Sequence, residues 1–253
     1  MLAASIVATA LLAAMPPAAS HGFVAIPAGE FRSTVRYEGE GGQRSVAAFA
    51  LSSQAVTVRD FERFVHANPQ WKRGQAPRLL VDAGYLANWR SADTAGDEVR
   101  DDAPVTHVSW FAADAYCKSV GARLPDWAEW EYVAAADANR RDARTDPAWL
   151  ARTFVDGTPR AMDARPDALP NAYGVSGLHG AVWEWVGDYA TLLGDADKRG
   201  SADGDRLQFC GATGLSFANR DDYAVLKRVA LLSAMQPHST LGNLGFRCAR
   251  STP

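Results

Sequence analysis

The chain has 253 residues, carries a formal net charge of −3 at pH 7 and is 47% hydrophobic. This length suits one large domain or two small ones, and the hydrophobic fraction is sufficient for a real core. Because positive charge is not in excess, a nucleic-acid-binding function is not indicated. Eight tryptophans and 21 glycines predict an irregular, loop-rich domain in which indole rings fill the interior.

The beginning of the chain has the composition of an export signal. Its first fourteen residues are almost wholly apolar, and Ala18 and Ser20 satisfy the small-x-small rule for cleavage after Ser20. The apolar run is too short to span a bilayer comfortably. We therefore expect residues 1–20 to be removed and residues 21–253 to form a periplasmic or secreted domain without a membrane segment. An uncleaved anchor, or a start codon assigned too early, is the alternative.

The first elements expected are a strand and a helix. Residues 22–31 have the pattern of a short strand followed by a turn. Thr57 is placed to cap a helix, with Asp60 three residues further on. The apolar face of this helix carries Phe61, Phe64 and Val65. Asn68 and Pro69 end it, since the residue before a proline disfavours helical backbone.

The segment from residue 104 to residue 136 predicts two successive helices. Ser109 is a good N-cap for the first, and Gly121 stops it. One face of this helix carries Trp110, Ala113, Cys117 and Val120. Asp126 caps the second helix, and Glu129 completes a capping box. The residues expected to face inward are Trp127, Trp130 and Ala134.

The rest of the chain has weaker patterns. Residues 139–170 are rich in Arg, Asp and Pro and predict a long surface excursion. Residues 207–212 have the pattern of a strand, residues 225–235 are apolar, and residues 244–249 have the pattern of a closing strand. No linker divides the chain, so short mixed elements joined by long loops favour a single α+β domain.

The most distinctive stretch is YGVSGLHGAVWEWVGDY, from Tyr173 to Tyr189. Its glycines permit tight turns in which carbonyl oxygens converge on one point. Glu184 follows between two tryptophans, and a carboxylate beside converging carbonyls is what a hard cation such as calcium requires. The alternative is a glycine-rich turn before a buried Trp-x-Trp strand, with Glu184 hydrogen-bonded locally.

The three cysteines are Cys117, Cys210 and Cys248. In an exported protein we expect two of them to pair and one to be left over. The chain contains no Cys-x-x-Cys or His-x-x-x-His spacing, so local spacing predicts no zinc site.

Several blocks, taken together, resemble the formylglycine-generating enzyme family, also called the sulfatase-modifying factor family. In chain order they read FVAIPAGEF, FALSSQAVTVRDFERFV, PVTHVSW followed by AYCKSVGARLPDWAEWEYVAAA, YGVSGLHGAVWEW and LGFRCAR. The resemblance runs from about residue 23 to the end. It implies a single irregular α+β domain, a variant of the C-type lectin-like fold.

The resemblance also implies a calcium site and a disulfide. The family's calcium ligands fall on Gly177, Gly180, Val182 and Glu184. Gly177 stands where a side-chain oxygen is often supplied, and Ala181 replaces a usual asparagine. Family members pair cysteines at the positions of Cys117 and Cys248, which would leave Cys210 as a free thiol.

Enzymes of this family oxidise a substrate cysteine to formylglycine with molecular oxygen. They bind copper(I) through two cysteines five residues apart, because soft thiolates select that ion. The resemblance places Ala224 and Val229 at those positions, and residues 211–247 contain no cysteine. Leu232 replaces an arginine that is common just beyond. We therefore expect no copper(I) thiolate site and no formylglycine chemistry of this kind.

Two functions remain as hypotheses. The first is a binding or maturation accessory factor that kept the fold and lost the chemistry, as relatives encoded beside copper nitrite reductases suggest. Its partner would be an unidentified protein or small molecule.

The second hypothesis is an oxidoreductase with other oxidative chemistry, as relatives linked to siderophore maturation suggest. Its redox metal would be held by His107, His179 or His238, although a lone histidine is more often structural. After cleavage at Ser20, the amino-terminal His21 would also offer an amine and an imidazole to copper(II).

Overall fold

Short strands and helices alternate with long irregular connections. The computed structural model describes residues 22–36, 42–156, 169–190, 216–217 and 222–252. The strands in this part of the chain are β1 (Phe23–Ile26), β2 (Gly29–Arg32), β3 (Val35–Arg36), β4 (Gln43–Val46), β5 (Phe49–Ser52), β6 (Trp183–Trp185), β7 (Ser216–Phe217), β8 (Leu244–Phe246) and β9 (Ala249–Ser251). The helices are α1 (Val58–Ala67), a 3-10 turn (Pro69–Trp71), α2 (Trp110–Ser119), α3 (Trp127–Ala134), α4 (Pro147–Asp156) and α5 (Tyr223–Ser233).

The largest sheet in these residues joins the two ends of the domain. Strand β5 lies between β1 and β9 and is antiparallel to both. Phe23 pairs with Ser52 at one end of β5, and Ser251 pairs with Phe49 at the other. Phe49 and Leu51 are buried on the core side of this strand. The smaller pairs are β2 with β4 and β3 with β7, both antiparallel.

The central stretch ends in β6, which runs parallel to β8. Glu184 lies opposite Gly245 in this pair. A side chain at Gly245 would place its Cβ atom 2.4 Å from the backbone oxygen of Val105, so only glycine fits there. The single closing strand expected over residues 244–249 is thus two strands. Strand β8 joins β6, and after a change of direction β9 joins β5.

The helix starts predicted from local sequence are confirmed. The Thr57 hydroxyl accepts a hydrogen bond from the amide of Asp60 at 3.2 Å, and Ser109 accepts one from Ala112, also at 3.2 Å. At α3 the carboxylate of Glu129 accepts from the amide of Asp126 at 2.9 Å, as a capping box requires. The residues of α3 expected to face inward are all buried: Trp127, Trp130 and Ala134.

Two helices were not expected: α5, whose residues were noted only as apolar, and α4. The surface excursion predicted over residues 139–170 contains α4, which buries Trp149. Asp146 caps this helix by accepting hydrogen bonds from the amides of Ala148 and Trp149. Pro147 occupies the first helical position, where its missing N–H group leaves no hydrogen bond unmade. The charged and proline-rich composition of this region concealed a helix start that Asp146 and Pro147 do signal.

An aromatic cluster forms the centre of the core. Phe61 of α1 stacks on Tyr116 of α2 with 5.9 Å between ring centroids, and it meets the edges of Trp89 and Phe246. Beside this cluster the predicted disulfide joins Cys117 of α2 to Cys248, with a distance of 2.00 Å between the sulfur atoms. The disulfide therefore ties the closing segment of the chain to the helix that carries the core.

Several expectations concern residues outside the described ranges. These are the export signal over residues 1–20, the strand over residues 207–212, and the positions of Cys210 and His21. Among the described helices, none is both long and apolar enough to cross a membrane.

Candidate functional site

The glycine-rich stretch turns sharply before β6. Gly174, Gly177 and Gly180 have φ angles of 82°, 72° and 86°, in the left-handed region that glycine adopts without steric cost. These turns fold the stretch back on itself and direct the chain into β6. The prediction of tight turns at these glycines is confirmed.

Glu184, the acidic residue of this stretch, is fully buried and paired with Arg247. The Nε atom of Arg247 lies 3.0 and 2.9 Å from the two carboxylate oxygens, and its Nη2 atom lies 2.8 Å from Oε1. The indole N–H group of Trp130 donates to Oε2 at 3.0 Å. The hydrogen-bonding capacity of the carboxylate is thereby used by Trp130 of α3 and by Arg247, the residue that follows β8.

These contacts bear directly on the calcium hypothesis. A calcium ion takes six to eight oxygen ligands and needs negative charge close by. The predicted set contains one carboxylate, that of Glu184, and Arg247 already neutralises it at hydrogen-bonding distance. As the side chains stand, the set of Gly177, Gly180, Val182 and Glu184 does not fit the ion. Calcium could bind at this stretch only if Glu184 exchanged its partner, which a comparison of melting temperatures with calcium and with chelator would test.

Arg228 of α5 completes the surroundings of Glu184. It is buried, and its guanidinium carbon lies 3.7 Å from the ring centroid of Trp130. One of its terminal nitrogens donates to the backbone oxygen of Glu184. Burial lowers the pKa of Arg228 to about 9, because removal from water disfavours the charged form. Sequence reasoning missed both arginines, although a buried acid between two tryptophans signals a need for a cation.

Helix α5 also carries the positions at which the resemblance places the copper ligands. Ala224 and Val229 are both buried, and neither side chain has a donor atom for a metal. Leu232, one turn further on, is likewise buried and apolar. Cys117 and Cys248 are joined to each other, so neither thiolate is free to bind copper.

The histidines proposed as metal ligands differ in burial and in backbone conformation. His179 is partly buried, its Nε2–H group donates to the backbone oxygen of Ala134 at 2.7 Å, and its ring makes edge-to-face contacts with Trp130 and Trp149. Burial lowers the pKa of His179 below its usual value. His107 has a left-handed backbone with φ of 58°. His238 is partly buried.

No group of three or more His, Cys, Asp or Glu side chains in the described part of the chain is arranged to hold a metal ion. The histidine hypothesis therefore receives no support from a shared cluster among these residues.

A second buried polar group lies where α3 meets the β2–β3 connection. The Glu131 carboxylate accepts hydrogen bonds from the Ser33 hydroxyl at 2.5 Å, the Thr34 amide at 2.6 Å and the Trp127 indole at 3.0 Å. Thr34 also donates to Asp222, the N-cap of α5. Burial raises the pKa of Glu131 despite these bonds. This group links α3 to α5 through buried hydrogen bonds.

Comparison with known proteins identifies the family. Residues 9–252 match the protein-family model described as the sulfatase-modifying factor enzyme 1-like domain. The chain belongs to this family. It is 31% identical to the formylglycine-generating enzyme of Streptomyces coelicolor, over 92% of this chain and 90% of that enzyme. The single α+β domain expected from the sequence is confirmed, and it has the fold of the formylglycine-generating enzyme family.

The chain is also similar to proteins that carry other names. The chain is 29% identical to the mouse protein named inactive C-alpha-formylglycine-generating enzyme 2, over 85% of this chain and 79% of that protein. It is 34% identical to hercynine oxygenase of Mycolicibacterium smegmatis, over 56% of this chain and 37% of that protein. The crystal structure of CarF has the same fold, with a TM-score of 0.51 at 14% identity, over 93% of this chain and all of CarF.

Proposed function

We propose that this protein is a binding or maturation accessory member of the family, one that does not oxidise cysteine by copper(I)-thiolate chemistry. The observation that carries the proposal is the pair Ala224 and Val229 in α5. Both are buried and apolar, and they stand at the positions where the resemblance places the copper ligands of the family's enzymes. The chain has three cysteines, and Cys117 and Cys248 are joined to each other. Cys210 alone cannot supply two thiolate ligands.

Two further observations support an accessory role. A relative named as inactive aligns with most of this chain, so loss of catalysis within this family has a precedent by name. In addition, the interior around Glu184 is closed by ion pairs and indole rings. A fold that has lost its chemistry can still present its loops to a ligand, because function depends on the site and not on the fold.

A peptide oxidation assay tests the proposal. The mature protein is incubated with copper(I), oxygen and a cysteine peptide of the sulfatase type, and mass spectrometry follows the peptide. We expect the cysteine to remain, while the Streptomyces coelicolor enzyme converts it to the aldehyde under the same conditions. Catalytic aldehyde formation by this protein would overturn the proposal.

Oxidative chemistry of another kind is the second candidate. The observation that favours it is the similarity to hercynine oxygenase over 56% of the chain. Metal analysis of the purified protein distinguishes the two candidates. A stoichiometric redox metal supports an oxidoreductase, and its absence after reconstitution with iron(II) or copper(I) supports the accessory role.

We also propose export to the periplasm or the cell exterior, where the partner would be a protein or small molecule of a copper or other oxidoreductase system. The apolar first fourteen residues support export, and so does the disulfide, since disulfides persist in oxidising compartments. Mass spectrometry of the protein recovered from its native host checks this. An amino terminus at His21 is expected, and an intact Met1 would contradict it.

A further inference from the structure

A small cavity lies between the first turn of α1, helix α2 and the end of β5. Its polar lining residues are Ser52, Gln54, Asp60 and Tyr116, and the disulfide residue Cys248 also lies in its wall. The volume of this cavity, counted as the space open to the centre of a water molecule, is about 10 Å³. One water molecule requires roughly 10–15 Å³ by the same measure. The cavity therefore has room for one molecule of that size and excludes an organic ligand.

The hydroxyl group of Tyr116 has no protein partner among the described residues. Tyr116 is 3% exposed, and its ring is held by contacts with Phe61, Phe64 and Phe246. Within the described ranges, no side chain or backbone group forms a hydrogen bond with its hydroxyl oxygen. Buried hydroxyl groups in native proteins are hydrogen-bonded, either to protein or to an ordered water molecule. The partner of this hydroxyl is therefore a molecule that the cavity admits.

The chemistry of the lining favours a neutral molecule that both donates and accepts hydrogen bonds. Burial raises the pKa of Tyr116, and the nearby carboxylate of Asp60 raises it further, so the phenol keeps its proton. A protonated phenol offers both a donor and an acceptor. Arg63 pairs with the Asp60 carboxylate, which balances the charge of that group. A cation is for this reason a poorer match than a neutral molecule.

We propose that this cavity binds one structural water molecule, which hydrogen-bonds to the Tyr116 hydroxyl and bridges α2 to Asp60 of α1. A buried water molecule typically makes two to four hydrogen bonds, and the four polar lining residues can supply that number. The water molecule extends the contact between α1 and α2 beside the disulfide. This inference does not depend on the proposed function.

A crystal structure of the wild-type protein, at a resolution that shows ordered solvent, observes the site directly. We expect one peak of electron density about 2.8 Å from the hydroxyl oxygen of Tyr116, as a hydrogen bond between two oxygen atoms requires. A second contact to the Asp60 carboxylate should have a similar length. A peak surrounded by about six or more oxygen atoms would instead be a hard cation.

Two tyrosine variants measure what the water molecule contributes to stability. Tyr116→Phe keeps the ring and removes only the hydroxyl group. Tyr85→Phe is the matched control, because Tyr85 is also 3% exposed and its hydroxyl donates to the backbone oxygen of Trp71 at 3.0 Å. We expect both variants to lower the melting temperature by roughly 2–4 °C, since each loses about one hydrogen bond in a domain of this size. If Tyr116 had no partner, removing its hydroxyl would leave the melting temperature unchanged or raise it.

Three results would overturn the assignment. These are the absence of a density peak at hydrogen-bonding distance from Tyr116, a peak with the coordination of a cation, or a Tyr116→Phe protein that is at least as stable as wild type while Tyr85→Phe is destabilised. If Tyr116→Phe does not fold, the density in the wild-type crystal still decides the question. None of these results affects the peptide oxidation assay, so the accessory role is tested separately.

Discussion

At the scale of single residues, the pairing of Glu184 with Arg247 has the largest expected effect on stability. Replacing Glu184 by glutamine leaves Arg247 as an unpaired charge in the core, beside the buried charge of Arg228. Loss of one partner of a buried pair typically costs about 3–5 kcal/mol. We therefore expect Glu184→Gln to lower the free energy of unfolding by about that amount in urea denaturation.

An exposed ion pair provides the control for this prediction. Arg59 and Asp101 lie 3.3 Å apart with side chains 57% and 62% exposed. Because such pairs contribute less than about 1 kcal/mol, Asp101→Asn should change the unfolding free energy little. If both substitutions cost the same small amount, Glu184 does not stabilise the core in the way its contacts indicate.

The contacts of Glu184 also lead to a prediction about calcium binding. Since Arg247 already neutralises the carboxylate, we expect the wild-type protein to melt at the same temperature in millimolar calcium and in excess chelator. A calcium ion that binds the native state would raise the melting temperature by mass action. A rise in wild type that disappears in Glu184→Gln would show that calcium displaces Arg247 and that the family's metal site is retained.

At the scale of elements, α4 offers a test of a helix that composition concealed. The Asp146 carboxylate caps its first turn through the amides of Ala148 and Trp149. Losing an N-cap side chain costs about 1 kcal/mol, so Asp146→Ala should lower the unfolding free energy by about that amount.

Asparagine supplies the matched control for Asp146. It caps a helix as well as aspartate does, but it does not retain the 2.7 Å ion pair with Arg140. Asp146→Asn should therefore keep most of the stability in the same urea titration. Equal losses in the alanine and asparagine variants would assign the effect to the ion pair instead of the cap.

The structural features that the sequence predicted correctly depend on residues close together in the chain. Thr57, Ser109 and Asp126 were identifiable as caps because a cap and the amide it serves lie within three residues of each other. The partner of Glu184 was not identifiable from spacing, since Arg247 lies 63 residues further along the chain. The division of the last strand into β8 and β9 was equally hidden, because it depends on which distant strand each half joins.

At the scale of the whole molecule, the disulfide between Cys117 and Cys248 joins two residues that are far apart in the chain. It closes a loop with a sequence separation of 131 residues. In the chain-entropy model a loop of this size stabilises the native state by up to about 5 kcal/mol, through the reduced freedom of the unfolded chain. Reduction of the wild-type protein should therefore lower its unfolding free energy by a few kcal/mol.

Reduction keeps both buried sulfurs in place, so it separates the effect of the bond from that of a cavity. Peptide mapping without reductant should recover Cys117 and Cys248 in one linked fragment, with Cys210 free. Cys210→Ala should leave the denaturation curve and its response to reductant unchanged. A linked fragment that contains Cys210 would contradict the pairing.

The place of residues 244–251 in the chain determines when the core can close during synthesis. Residues 244–251 supply the partner of Glu184, one half of the disulfide and the outer strands of two sheets. A ribosome adds them after every other described strand and helix. Until they leave the exit tunnel, β5 and β6 each have an open edge and Glu184 has no counter-ion. A chain truncated before residue 244 would therefore lack a closed core, and folding cannot finish until residues 244–251 have been made.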